Sequence, residues 1–208
     1  MTSRIDFNET WLTEMPTGLG SFETYDMLEY NIKDLIDNGA VPADLGNGIK
    51  KIDLSQTMVY WYEDKNGTIL LGVELDKKPQ GLIVRLTGKN PRYRGKSPYA
   101  SELYQFILRD NKTKSIRLLS DESLSDEGKQ IWDRLFSMGL NVSVYDRESS
   151  GKSFKTFKTK EEMDNYFELD NTDFKRYQYV LSESGEMLAE TRSYFNTRRM
   201  RELIPGLL

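Results

Sequence analysis

The run Gly81-Leu-Ile-Val-Arg-Leu-Thr-Gly88, followed by Asn90-Pro-Arg-Tyr-Arg-Gly-Lys-Ser-Pro-Tyr-Ala-Ser-Glu-Leu-Tyr104, decides the fold. Its first part reads as a strand with Ile83 and Val84 as the β-branched centre. Its second part opens a helix whose buried stripe is Leu103, Phe106 and Ile107. Ser97 is expected as the N-cap and Pro98 as the first helical residue. Serine accepts an orphan amide hydrogen there, and proline has none to leave unpaired. Between strand and helix lies a glycine-containing basic turn. Free backbone N–H groups, the positive end of a helix dipole and the charges of Arg94 and Lys96 all favour an anion at that point. A phosphorylated ligand is the expected guest. The competing reading is that Ser97 and Pro98 only cap the helix while Arg94 and Lys96 are solvated.

Outward from this stretch the elements follow in order. Met58-Val-Tyr-Trp-Tyr62 and Ile69-Leu-Leu-Gly-Val-Glu-Leu75 flank the turn Asp64-Lys-Asn-Gly67. The Asn66-Gly67 pair marks this as a hairpin. Tyr60, Trp61 and Tyr62 must point to alternate faces, one the core and the other a ligand cleft or a protein interface. Before the hairpin, Ser21 opens a helix carrying Phe22, Tyr25, Leu28, Ile32, Leu35 and Ile36, which Gly39 ends. Residues 40–52 read as a loop with Pro42, Gly46 and Gly48. Residues 1–20 read as an N-terminal arm that docks through Trp11, a side chain too apolar to leave in water.

On the far side, Ser115-Ile-Arg-Leu-Leu-Ser120 reads as a strand. Ser125 caps a helix from Asp126 to Met138, with Ile131, Trp132, Leu135 and Met138 inward and Gly139 as its stop. Asn141-Val-Ser-Val-Tyr145 is a further strand. Thr159-Lys-Glu-Glu162 is a capping box that opens a short helix with Met163, Tyr166 and Phe167, broken by Asp170 to Asp173. From Ser182 a last amphipathic helix presents Met187, Leu188, Thr191, Tyr194 and Phe195 on one face.

Composition removes whole classes of chemistry. The 208 residues contain no cysteine and no histidine. Disulfides, thiolate catalysis, histidine bases, Ser-His-Asp triads and Cys/His metal sites are therefore excluded. With 38% hydrophobic residues, 12% of all residues being aromatic, the chain can fill a core. A net charge of −4 argues against general nucleic-acid binding. No apolar run approaches the roughly 20 residues that span a bilayer, and no secretory segment follows Met1, so a cytoplasmic protein that engages no membrane is expected.

Several smaller features have plain explanations. Gly95-Lys96-Ser97 and Gly151-Lys152-Ser153 end like nucleotide-binding loops, but Asn90 and Asp146 stand where a Walker glycine belongs. Asp121, Glu122, Asp126 and Glu127 lack calcium-loop spacing and suit the N-terminus of a helix, so no metal is expected. Arg198, Arg199 and Arg201 complement the C-terminal end of a helix dipole, with contact to nucleic acid or an acidic partner as the alternative.

The loop resembles the acyl-CoA loop of the GNAT superfamily of N-acetyltransferases, where a strand runs into Arg/Gln-x-x-Gly-x-Gly/Ala and a helix. Pro91, Tyr93, Arg94 and Gly95 stand where that family often shows a Pro-x-Tyr-Arg-Gly run. Ser97 replaces the first motif glycine, Tyr99 occupies the Gly/Ala position, and Pro98 removes a donor between them. The resemblance covers roughly residues 55–146. It implies a mixed α/β fold of GNAT type: an antiparallel hairpin, then strand-helix-strand-helix-strand, with a helical C-terminal extension. With the residue reading on either side, the chain divides into an N-terminal arm (1–20), a GNAT-like domain (21–148) and a helical extension (149–208) expected to pack on the core, with a partner-binding helix as the alternative.

The resemblance further implies binding of acetyl-CoA or another acyl-CoA, with Arg94, Gly95, Lys96 and Ser97 facing phosphate and Leu86 and Thr87 near the thioester. The acceptor would be an amine on a small molecule or a protein. A general base must accept the proton of that amine. Glu74, on the neighbouring strand, is the best-placed carboxylate, with Asp76 and Glu63 behind it. The family's frequent general acid is a tyrosine late in the helix equivalent to residues 126–138, and this chain has none there. A second reading is thus a catalytically degenerate GNAT-fold protein that binds a protein partner or itself. The chain as a whole also looks similar to proteins of tailed bacteriophages, which implies a viral accessory or virion role.

Overall fold

The computed structural model describes residues 21–111, 116–121, 124–148, 154–172 and 176–182. The expected arm at 1–20 and the last helix from Ser182 lie outside the described residues, apart from Ser182 itself. The chain folds as a mixed α/β structure around one sheet. The strands are β1 (Ala43–Asp44), β2 (Ile49–Asp53), β3 (Thr57–Glu63), β4 (Ile69–Lys78), β5 (Gly81–Lys89), β6 (Leu118–Leu119), β7 (Val142–Asp146), β8 (Phe154–Thr156) and β9 (Tyr177–Leu181). The helices are α1 (Ser21–Asp37), α2 (Ala100–Asp110), α3 (Asp126–Ser137) and α4 (Lys160–Thr172).

The strand order is β1-β2-β3-β4-β5-β6-β9-β7-β8. Every neighbouring pair is antiparallel except β5 and β6, which run parallel. A parallel pair needs a crossover, and α2 supplies it. The order hairpin, strand, helix, strand, helix, strand is the one the sequence predicts. Residues 40–52 are not a single loop: they contain β1 and β2, joined where Gly46, Asn47 and Gly48 all take positive φ. Lys50 and Lys51 disguise β2 as polar, yet Ile49 and Ile52 are its buried anchors.

The sheet also runs on past residue 148. β9 inserts between β6 and β7, with Tyr179 and Leu181 on one face and Val180 on the other. The described part of the segment 149–208 therefore contains two sheet strands as well as α4, and α4 continues to Thr172.

Both faces of the central strands are covered. Leu71, Val73 and Leu75 of β4 face Leu103 and Ile107 of α2, Trp132 and Leu135 of α3, and Met163 of α4. On the other face, Tyr25, Leu28 and Ile32 of α1 pack on Val59, Trp61 and Ile69. Tyr60 and Trp61 point oppositely, as alternation requires, and both are buried; the face expected to line a cleft is closed by α1. In α3, Ser125 Oγ accepts from the Gly128 N–H at 3.1 Å, as a serine N-cap should. Trp132 and Leu135 point inward, while Met138, just past the helix, is exposed.

A polar knot fastens the end of α2 to β2 and β3. Tyr60 Oη donates to Asp110 Oδ2 at 2.6 Å, Lys51 Nζ donates to the same oxygen at 3.0 Å, and Asn111 Nδ2 donates to Tyr60 Oη at 3.0 Å. Burial, reinforced by Asp110, pushes the Tyr60 phenol up to about 12. Burial opposes the charge of Asp110, but its bonds to Tyr60 and Lys51 hold the carboxyl below the usual value. Asp110 thus stabilises the fold above its unfolded pKa of about 4, and that contribution is lost as pH falls through the lowered folded value. Tyr60 stabilises below about 10, and its contribution is lost as pH rises towards about 12. Asp110→Asn should cost about 1–2 kcal/mol at neutral pH and flatten the acid side of the stability profile. Urea unfolding across pH checks this; an unchanged acid limb would count against the knot.

Candidate functional site

β5 makes the site. Against β4 its register shifts between Glu74 and Leu75, which pair with Leu86 and Val84, so Arg85 is an extra residue in the strand. Such a bulge reverses the alternation of side chains. Before it, Leu82 and Val84 face α2 and α3. After it, Leu86 packs under α1, whereas Thr87 reaches the hydroxyl of Tyr104 on α2 at 2.8 Å. Gly88 returns to the α1 face, where an added Cβ would lie 2.9 Å from the Tyr25 Cα.

On its other side β5 pairs with β6 at only Leu82↔Leu118 and Ile83↔Leu119. From Val84 to Lys89, β5 has no strand beside it on that edge among the described residues. Pairing between the two strands thus stops well before the basic loop, and the edge of β5 that leads into the loop is unpaired among the described residues.

The loop is anchored by Asn90. Its N–H donates to Leu70 O at 2.9 Å, and its buried amide donates to Tyr25 Oη at 3.1 Å and Ile69 O at 3.3 Å. Its Oδ1 accepts from the Arg92 N–H at 3.1 Å and starts a 3-10 turn over Pro91–Tyr93. Gly95 then takes φ +70°, a conformation that favours glycine.

The helix begins later than Ser97 and Pro98 predict. Tyr99 is the N-cap, α2 starts at Ala100, and Glu102 accepts from the Tyr99 N–H at 2.9 Å. The winning signal is the acidic residue three places after the cap, which secures an amide that Ser97 does not reach.

The N–H groups of Arg94 and Lys96 bond within the loop, to Pro91 O at 3.3 Å and Tyr93 O at 3.1 Å. Those of Gly95, Ser97, Ala100 and Ser101 make no hydrogen bond to a described residue. Ser101, in the first turn of α2, also has a buried hydroxyl without a partner among the described residues. Unmet donors at a helix N-terminus beside a basic loop suit an anion. Between Lys89 and Glu102 the chain carries the cations Lys89, Arg92, Arg94 and Lys96 against the single carboxylate of Glu102.

Tyr99 organises this charge. Its ring has Lys89 Nζ at 4.8 Å and the Arg134 guanidinium of α3 at 3.9 Å, and its hydroxyl donates to Gly95 O at 3.0 Å. Lys89 donates to Lys96 O and, at 2.8 Å, to Pro98 O. Burial pulls the Lys89 ammonium below the ordinary lysine value; Glu102 opposes this and Arg134 adds to it. Two cations are thus held close to one aromatic ring, where a ligand anion would relieve their repulsion.

Glu74 is the ladder partner of Leu86, but its carboxylate lies on the α1 side, where Asn31 Nδ2 donates to Oε2 at 2.9 Å. Leu86, Thr87 and residues 94–97 share one continuous segment, and Glu74 reaches that segment from the opposite face to Thr87. Sequence reading did not find Lys89, Arg134 or Tyr104. Tyr104 carried a usable signal, since a tyrosine in a buried stripe needs a hydroxyl partner and Thr87 is the polar residue of β5. Arg134 carried none, because only folding brings α3 to the loop. Among the described residues no acidic cluster could hold a metal ion, and no helix is long and apolar enough to cross a membrane.

No protein-family model and no curated protein matches the chain. Among solved structures, a crystal structure described as a "putative phosphinothricin N-acetyltransferase" is similar over 79% of this chain and 87% of that one, at 15% identity and a TM-score of 0.37.

Proposed function

We propose that this chain is an acyl-CoA-dependent N-acyltransferase of GNAT type acting on an amine. The observation that carries this reading is the parting of β5 from β6 after two residue pairs, on an edge that leads into the cationic loop. Arg94, Gly95, Lys96 and Ser97 would hold the phosphates, assisted by Lys89, Arg134 and the first amides of α2. Leu86 and Thr87 would lie along the thioester end. Acetyl-CoA, when bound, supplies an acyl group activated as a thioester. Glu74 would accept the proton of the attacking amine, directly or through water, with Asn31 orienting the carboxylate. The acceptor is an amine-bearing small molecule or protein.

A second reading is favoured by the bonds that close the loop on itself. Lys89 to Lys96 O and Pro98 O, and Tyr99 to Gly95 O, occupy groups that an open phosphate loop would leave available. On that reading the chain is a binding module for a protein partner without catalysis.

Calorimetric titration with acetyl-CoA, with coenzyme A as control, separates the two. The transferase reading predicts micromolar binding that weakens about 10–100-fold in the Arg94→Ala/Lys96→Ala variant and falls with added salt. Absence of heat at millimolar ligand would retire the enzyme and leave the binding module.

A further inference from the structure

We infer that Thr87 presents its hydroxyl to the carbonyl oxygen of a bound thioester, and that Tyr104 is the residue that aims it. This deepens the transferase reading and rests on it.

Thr87 stands on β5 two residues past the bulge. It pairs with Val73 of β4 on one side and has no strand beside it on the other among the described residues. Its side chain is half-buried, not sealed in the core. The Thr87 and Tyr104 hydroxyls are 2.8 Å apart, and geometry alone does not fix which one donates. Chemistry does. A phenol is the stronger acid and so the better donor of the two. Tyr104 is fully buried and edge-on to Trp132 at 6.0 Å, so its hydroxyl cannot swing to another partner. Burial pushes its pKa far up, with Thr87 opposing and Asp121 adding to the rise, so the phenol keeps its proton. With Tyr104 donating, Thr87 accepts, and its own hydrogen is left for a third group. A hydroxyl that accepts one hydrogen bond donates the next more strongly.

The carbonyl oxygen is the group this donor suits. As an amine attacks a thioester, negative charge gathers on that oxygen, and a donor already held in place acts on the charge as it develops. Residues 126–138 contain no tyrosine. The oriented hydroxyls of this site come instead from β5 and α2. Tyr104 touches no substrate on this account and is a positioning residue.

The test uses binding, so no acceptor need be known. Wild type, Thr87→Val, Thr87→Ser and Tyr104→Phe are each titrated with acetyl-CoA and with coenzyme A, and their melting temperatures are measured. Coenzyme A has the sulfur but no carbonyl. Thr87→Val should weaken acetyl-CoA about 5–20-fold and leave coenzyme A within about twofold. Thr87→Ser should recover most of the lost affinity, and Tyr104→Phe should show a smaller loss confined to acetyl-CoA. A folded Thr87→Val protein that binds both ligands as wild type does, or loses both equally, overturns this assignment and leaves the transferase reading standing. A wild type that binds neither ligand overturns both.

Discussion

Trp132→Ala should lower the free energy of unfolding by about 3–5 kcal/mol. Trp132 is 1% exposed and stands where three elements meet. It is edge-on to Tyr104 of α2 at 6.0 Å and stacked on Tyr179 of β9 at 5.9 Å. Tyr179 in turn donates its hydroxyl to Met163 O of α4 at 2.9 Å, so the indole ties α3 to both neighbouring helices and to the sheet. Truncation leaves a large cavity that surrounding helices can collapse into only by moving. Trp132→Phe keeps an aromatic contact and should lose less than half as much. Urea unfolding monitored by circular dichroism measures both. A Trp132→Ala loss below about 1 kcal/mol would mean that the helical layer is not locked at this point. Since Tyr104 depends on this ring for its orientation, the same variant should also weaken acetyl-CoA.

Gly88→Val is the second large effect, at about 2–4 kcal/mol. Gly72 of β4 and Gly88 of β5 are ladder partners, and together they leave a shallow groove in the sheet. α1 lies in it. A Cβ on Gly88 would stand 2.9 Å from the Tyr25 Cα and 3.0 Å from Thr24 O, and one on Gly72 would stand 2.7 Å from Leu28 Cδ2. A leucine methyl can rotate aside; a backbone cannot. Gly88 should therefore tolerate substitution less well than Gly72, and displacement of α1 should expose Trp61 and loosen the Tyr25–Asn90 bond that anchors the loop. Denaturant unfolding, together with the near-ultraviolet signal of Trp61, tests this. A Gly88→Val protein within about 0.5 kcal/mol of wild type would show that α1 is not seated against β5.

The elements that sequence reading places well are those whose signals are local. The Asn66-Gly67 hairpin, the Ser125 cap, the Gly39 stop and the Thr159–Glu162 box each depend on residues a few positions apart. β2 escapes because its run is not strongly marked in itself; β9 carries strand-forming Tyr177, Tyr179 and Val180, but its place in the sheet is not local information. Ile49-Lys-Lys-Ile-Asp53 looks soluble until β3 pairs with it, and Tyr177-Gln-Tyr-Val-Leu181 is central only because β6 and β7 accept it from both sides. The Ser97 cap is the instructive error. The helix starts two residues later, where Glu102 reaches back to the Tyr99 N–H.

By itself the sequence determined the mixed α/β class, the order of the main elements, the exclusion of cysteine and histidine chemistry, and the basic loop after β5. These follow from composition and short-range geometry, which the chain carries whatever its fold. Tertiary structure alone decided the rest. It placed the bulge at Arg85 that turns Thr87 toward α2, brought Arg134 to the ring of Tyr99, and set Tyr104 against Thr87. The physical reason is that strand pairing and helix docking join residues tens of positions apart, and no local preference encodes the register in which they meet.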